Sequence, residues 1–132
     1  MCKGCVLVVD DDLALITLLK EALEDQGYQV CPTVDAAASQ VAREMQPDVI
    51  LLDYAMPRMD GAQISRQLRG DPATATIPIV LMSGHPPAAR PRLPVDEELS
   101  KPLDLADLLT TVERWTAARS RDGREGGVCA VE

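Results

Sequence analysis

Four places in this chain put a chemically able side chain directly behind a strand-like stretch, apolar in three of them and weak in the fourth. Val6-Leu7-Val8-Val9 leads into Asp10-Asp11-Asp12, and Val49-Ile50-Leu51-Leu52 into Asp53. Ile77-Pro78-Ile79-Val80-Leu81-Met82 leads into Ser83-Gly84, and the weaker run from Val95 to Ser100 into Lys101-Pro102. Short apolar runs of this kind read as buried parallel strands. An unpartnered buried carboxylate is costly, so Asp53 belongs at the C-terminal end of its strand, beside solvent. Open parallel sheets bind ligands at that carboxyl edge, which puts the acids, the hydroxyl and the ammonium on one rim. Carboxylates sharing a crevice repel and require a cation, and hard oxygen ligands at a partly hydrated site suit Mg²⁺. A cation, an ammonium and a hydroxyl donor supply the charge neutralisation and positioning that a transferring phosphoryl group needs. Asp53 is then the nucleophile, as in aspartyl-phosphate chemistry.

Each piece has a plainer reading on its own. The Asp10–Asp12 cluster caps a helix, Asp53 forms a turn, Ser83-Gly84 is an ordinary turn and Lys101-Pro102 a surface dipeptide. Their order, with Met56-Pro57 and Asp60-Gly61 behind Asp53, favours the site.

The positioning elements follow from the pattern. A helix is expected over Leu13 to Gln26, with Leu15, Ile16, Leu18, Leu19, Ala22 and Leu23 as its buried stripe. Gly27 stops it, and Tyr28 to Cys31 is a second strand. Asp35 starts a second helix with Ala38, Val41, Ala42 and Met45 on its apolar face, and Asp60-Gly61 opens a third that ends near Gly70. Between His85 and Pro94, prolines 86, 87, 91 and 94 disfavour a regular helix. Asp104 caps a last helix with Leu105, Leu108, Leu109, Val112 and Trp115 inward. Strand–helix alternation of this kind implies an α/β, doubly wound parallel sheet with helices on both faces. The expected domain spans residues 1–119, and residues 120–132, with Gly123, Gly126 and Gly127, read as a flexible tail.

The totals bound the function. At 132 residues the chain fits one domain. A formal charge of −8, from 21 acidic and 13 basic residues, argues against direct nucleic-acid binding. No window reaches the roughly 18 apolar residues of a membrane span, and the N-terminus leaves no room for a signal peptide. Both favour a cytoplasmic protein away from the membrane. Cys2 and Cys5 have C-x-x-C spacing, but no second pair accompanies them. Reduced thiols are expected for these two and for Cys31 and Cys129, rather than a zinc or redox site.

The motifs Val8-Val9-Asp10-Asp11, Leu52-Asp53-Tyr54-Ala55-Met56-Pro57-Arg58-Met59-Asp60-Gly61, Met82-Ser83-Gly84 and Lys101-Pro102 occur in this order over about residues 5 to 119. Together they resemble the receiver domain of two-component response regulators, in its single-domain, chemotaxis-regulator form. The resemblance implies a flavodoxin-like fold with five parallel strands in the order 2-1-3-4-5. It implies that Asp53 takes a phosphoryl group from a histidine of a sensor histidine kinase or a phosphotransfer protein. Asp11 and Asp53 would bind Mg²⁺ through their side chains and Ala55 through its carbonyl, with Asp10 in support. Ser83 would bond a phosphoryl oxygen and Lys101 pair with it, the Lys101–Pro102 bond being cis. The exposed face of the first helix, at Leu13, with the loop after Lys101, would receive the phosphodonor. No enzymatic activity is implied beyond self-phosphorylation and autodephosphorylation.

Two features depart from the family. Glu98 stands three positions before Lys101, where an aromatic switch residue is usual, and burying its charge is too costly for the same motion. The segment between Ser83 and Lys101 is short and proline-rich, so a reduced or irregular fourth helix and a modified output surface are expected. In the family, residues at the positions of Ala55 and His85 border the entrance to the phosphoryl group and tune its lifetime, so the resemblance adds His85 and Gly84 to Glu98 as switch or tuning candidates; Ala55 has no group to position water, whereas His85 has one, against the plainer reading of an inert exposed histidine. With no room for an effector domain after residue 119, output is expected through a protein partner or by onward transfer. The alternative is a receiver-fold binding scaffold with a non-standard switch. A phosphatase of the Asp-x-Asp type is disfavoured by Ala55, and a dinucleotide enzyme by the lack of G-x-G-x-x-G after the first strand.

Overall fold

The computed structural model describes residues 4–56, 60–84 and 92–121. In chain order its elements are β1 (Cys5–Val9), α1 (Leu13–Asp25), β2 (Gln29–Thr33), a 3₁₀ turn (Asp35–Ala37), α2 (Ala38–Met45), β3 (Val49–Asp53), α3 (Gly61–Gly70), β4 (Ile79–Ser83), β5 (Glu97–Ser100) and α4 (Leu105–Arg121). The strands form one parallel sheet in the order β2-β1-β3-β4-β5. This is the flavodoxin-like topology.

The three inner strands are buried along their whole length, which is why they read as unbroken apolar runs. Successive side chains alternate between faces. Leu7, Ile50, Leu52 and Leu81 pack with Ala42 and Met45 of α2 and with Ile64 and Leu68 of α3. Val6, Val8, Leu51, Val80 and Met82 pack with Leu19 and Leu23 of α1 and with Leu108 and Val112 of α4. Pro32 is tolerated in β2 because that strand lies at the sheet's edge.

Several expectations are corrected. The second helix begins at Ala38, the stretch from Asp35 being a 3₁₀ turn, and Ala37 at the helix start makes no side-chain cap. β4 begins at Ile79 rather than Ile77 and includes Ser83; Pro78 has no N–H to donate and contributes only its carbonyl, which accepts from Ile50. Leu18 is exposed, because Ile16, Leu19 and Leu23 form the buried stripe and Leu18 lies on the far side of the helical repeat. Cys31 is a buried free thiol, but Cys5 is disulfide-bonded, with a partner outside the described residues. The expectation of reduced thiols therefore fails there. The irregular helix expected between β4 and β5 falls mainly on residues 85–91, outside the described residues; no helix occurs in 92–96. α4 continues to Arg121, and the tail expected beyond it is also outside the described residues. No helix among the described residues is long and apolar enough to cross a membrane.

Candidate functional site

β1 delivers three consecutive carboxylates to the sheet's carboxyl edge, and the backbone sorts them. Asp12 turns away to cap α1, accepting hydrogen bonds from the backbone N–H groups of Ala14 (3.0 Å) and Leu15 (3.2 Å). Asp10 is fully buried; its Oδ1 accepts the Asp12 N–H at 2.9 Å, and its Oδ2 has no hydrogen-bond partner among the described residues. Asp11 is exposed. β3 lies beside β1 in register and ends at Asp53, which is 3% exposed. Carboxylate oxygens of Asp10, Asp11 and Asp53 lie within 4.8 Å of one another.

The far side of the site comes from β4 and the chain after β5. Lys101 Nζ donates to Asp53 Oδ1 at 2.8 Å. The Lys101 backbone N–H donates to the carbonyl of Ser83 at 2.9 Å, and Ser83 pairs in register with Ser100. Ser83, which is buried, is thus tied by its backbone to the residue whose ammonium reaches Asp53. The Lys101–Pro102 peptide bond is cis. A Cβ on Gly84 would stand 3.9 Å from Lys101 Cβ, an ordinary contact.

Gly61 is more constrained. A Cβ there would lie 2.8 Å from Tyr54 Cα and 2.9 Å from the Asp53 carbonyl oxygen. The start of α3 rests directly on the backbone that follows Asp53, and the Gly61 N–H donates to the Tyr54 carbonyl at 2.8 Å. Asp60 fixes that end with a capping box shared with Gln63.

Burial pushes the Asp10 carboxyl up to about 6; the hydrogen bond from Asp12 opposes this, the Asp53 charge adds to it, and Lys101 and Asp11 act weakly in opposite senses. A buried oxygen with no donor, facing two further carboxylates, fits a small hard cation.

The other predicted residues are placed as follows. Ala55 lies in the loop after β3 and is exposed. Glu98 is exposed on β5, opposite Leu81 in register. It lines a crevice of about 290 Å³ with Leu99, Ser100, Pro102, Leu103, Asp104 and Asp107. His85 is outside the described residues. Sequence reasoning missed Arg69 and Asp96, which pair across 27 positions, and Asp48, a buried carboxylate that accepts the Cys5 N–H at 2.8 Å. Neither pairing has a local signature. A charged residue flanking an apolar strand was the one available signal for Asp48.

A 2-1-3-4-5 parallel sheet with an acidic cluster, a lysine and a serine on its carboxyl rim is the architecture of a receiver-type α/β domain. Residues 6–113 match the response regulator receiver domain, and the chain belongs to that family of two-component signalling proteins. It is 32% identical over 118 residues to protein PilH of Pseudomonas aeruginosa, covering 81% of this chain and 93% of that one. It is 34% identical to the DNA-binding dual master transcriptional regulator RpaA of Synechocystis, again over 81% of this chain, but spans only 46% of RpaA. It spans 17% of the response regulator PleD of Caulobacter vibrioides, at 44% identity over 59% of this chain. Among solved structures, the signal receiver domain of a signal transduction histidine kinase from Syntrophus aciditrophicus superposes with a TM-score of 0.81 at 29% identity, covering 97% of this chain and 99% of that one. The receiver domain of a sensor histidine kinase from P. aeruginosa, with a magnesium ion coordinated in its active site cleft, gives 0.77 at 25% identity, covering 86% and 98%.

Proposed function

We propose that this chain is a phosphoacceptor switch or relay of a two-component system. Asp53 receives a phosphoryl group from the phosphohistidine of a sensor histidine kinase or phosphotransfer protein. A carboxylate oxygen of Asp53 forms the new bond to phosphorus; the phosphorus–nitrogen bond breaks and its electron pair returns to the imidazole. The single observation that carries this reading is the convergence on Asp53: Lys101 Nζ at 2.8 Å on one side, and the carboxylates of Asp10 and Asp11 on the other.

Lys101 holds the acceptor carboxylate in place and remains to pair with a phosphoryl oxygen, while the Ser83 hydroxyl donates to another. Asp10, Asp11 and Asp53, with the carbonyl of Ala55, would hold Mg²⁺, which when bound neutralises charge on the phosphoryl oxygens. The magnesium-bearing relative supports that assignment. The reading makes the chain a regulator, with no substrate beyond its own Asp53. Gly84 follows Ser83 in the chain, and Pro102 follows the pairing lysine. The direct partners are proteins rather than nucleic acid or membrane, which the charge of −8 supports, and the setting is cytoplasmic.

The test is incubation with a small acyl phosphate and Mg²⁺, followed by intact-mass measurement. One phosphoryl group should appear on the wild type and none on Asp53→Asn. Equal labelling of the two would remove Asp53 as the acceptor. The second reading, a binding scaffold without a phosphorylation switch, is favoured by the exposed Glu98 in the aromatic position. It requires partner affinity to be the same with and without phosphate on Asp53.

A further inference from the structure

α3 spans the molecule between two anchored ends. At the acceptor end, Gly61 lies against the backbone of Asp53 and Tyr54 so closely that a side chain there would collide with it. At the other end, Arg69 spends its guanidinium on four acceptors. Nε donates to the carbonyl of Pro94 at 2.9 Å; Nη1 donates to the carbonyls of Ala75 and Ile77, each at 2.9 Å; Nη2 bonds Asp96 Oδ2. Asp96 Oδ2 also accepts the N–H of Ile79 at 2.7 Å, and the Asp96 N–H donates to the Ile79 carbonyl at 2.9 Å. One side chain therefore joins the end of α3 to the entrances of both β4 and β5. Between these anchors Ala62, Ile64, Ser65 and Leu68 are buried, so the helix cannot slide without disturbing the core.

We infer that α3 and the Arg69 clamp form a coupling strut between the phosphoacceptor loop and the segment entering β5, a route that does not need an aromatic at position 98. Ten helical residues reach about 15 Å, enough to connect the two edges of the sheet. A shift of the backbone after Asp53 is passed to Gly61 by direct contact and leaves the helix through a forked, rigid guanidinium rather than a flexible chain. Arg69 is in this scheme a positioning residue remote from the acceptor chemistry. The inference rests on the phosphoacceptor reading above.

The experiment measures amide hydrogen exchange at Ile79 and Asp96 with and without phosphorylation by an acyl phosphate and Mg²⁺, in wild type and in Arg69→Gln. Intact mass reports phosphate on the same samples. In the wild type, phosphorylation should change exchange at these two amides by about fivefold or more, the lower end of ordinary coupling between sites. In Arg69→Gln, Asp53 should take phosphate as before, and the phosphate-dependent change should vanish, whatever the basal exchange becomes. A merely structural clamp would alter the basal rates and leave the phosphate-dependent ratio intact. An unchanged ratio in Arg69→Gln, or a phosphorylated wild type with no change at either amide, would overturn the strut. Failure of the wild type to take phosphate would instead overturn the acceptor reading and the strut with it. Should Arg69→Gln not fold, Asp96→Asn poses the same question from the other side of the clamp, with the same two deciding outcomes.

Discussion

β3 has a buried carboxylate at each end of its run, Asp48 just before it and Asp53 as its last residue, and the two ends of the sheet treat them differently. At the entrance edge, Asp48 accepts the Cys5 N–H while its own N–H donates to the Cys5 carbonyl, which pins β1 to β3. Nearby on that edge Asp96 is held by Arg69 and Ile79. At the exit edge, Asp53 shares its crevice with Asp10 and Asp11, and among the described residues one lysine reaches it and one oxygen of Asp10 has no hydrogen-bond partner. Carboxylates at one end close the structure; those at the other meet, among the described residues, one cation, Lys101. Buried polar groups are almost always paired, so the buried Asp10 oxygen without a hydrogen-bond partner among the described residues marks the exit edge as the candidate site.

The largest break in that contrast is expected at the crowded rim. Lys101→Met should slow phosphate uptake by about 100-fold, the scale of losing one preorganised charge-stabilising donor. Uptake kinetics from an acyl phosphate check this, and a rate within about threefold of wild type would show that Lys101 is not part of the transfer. Next is Asp10→Asn. The folded carboxyl is raised to about 6 from an ordinary 3.8. A raised carboxyl contributes stability that is complete below its unfolded value and is lost as pH rises through its folded value. At neutral pH the charged Asp10 should therefore cost the metal-free protein about 3 kcal/mol relative to the acid form. Denaturant unfolding without metal should show Asp10→Asn gaining on wild type between about pH 4 and 7, with Mg²⁺ narrowing the gap. A gap independent of pH would break the assignment of stress to Asp10. The lowered carboxyls of Asp71 and Glu97 act with the opposite sign but are common to both proteins.

At the closed edge, Asp48→Ala should cost about 2 kcal/mol by orphaning the buried Cys5 N–H, with Mg²⁺ affinity, read by calorimetry, unchanged. A stability loss paired with weakened Mg²⁺ binding would mean that the two edges are not independent. The smallest effect is Asp12→Ala, about 1 kcal/mol from loss of the α1 cap, again with phosphate uptake intact. A loss of uptake would return Asp12 to the site.

Much of this layout was legible in the chain. β1 and β3 announce themselves as apolar runs because both faces of the sheet are covered, and the residue after such a run must stand at the rim. That is why Asp10, Asp53, Ser83 and Lys101 could be gathered without coordinates. Leu18 was misjudged because an apolar stripe on a helix looks wider in sequence than the neighbouring sheet can cover. The Arg69–Asp96 pair joins positions with no local signature.

By itself the sequence determined the order of strands and helices, the parallel α/β architecture and the residue types at the carboxyl rim, since these depend on period, polarity and order along the chain. Only the tertiary structure decided which aspartate caps a helix, which lies buried with an unpartnered oxygen, and which one the lysine reaches. Those outcomes depend on distances of a few ångströms between separate strands, and on the water excluded when they pack, which no pattern within one strand encodes.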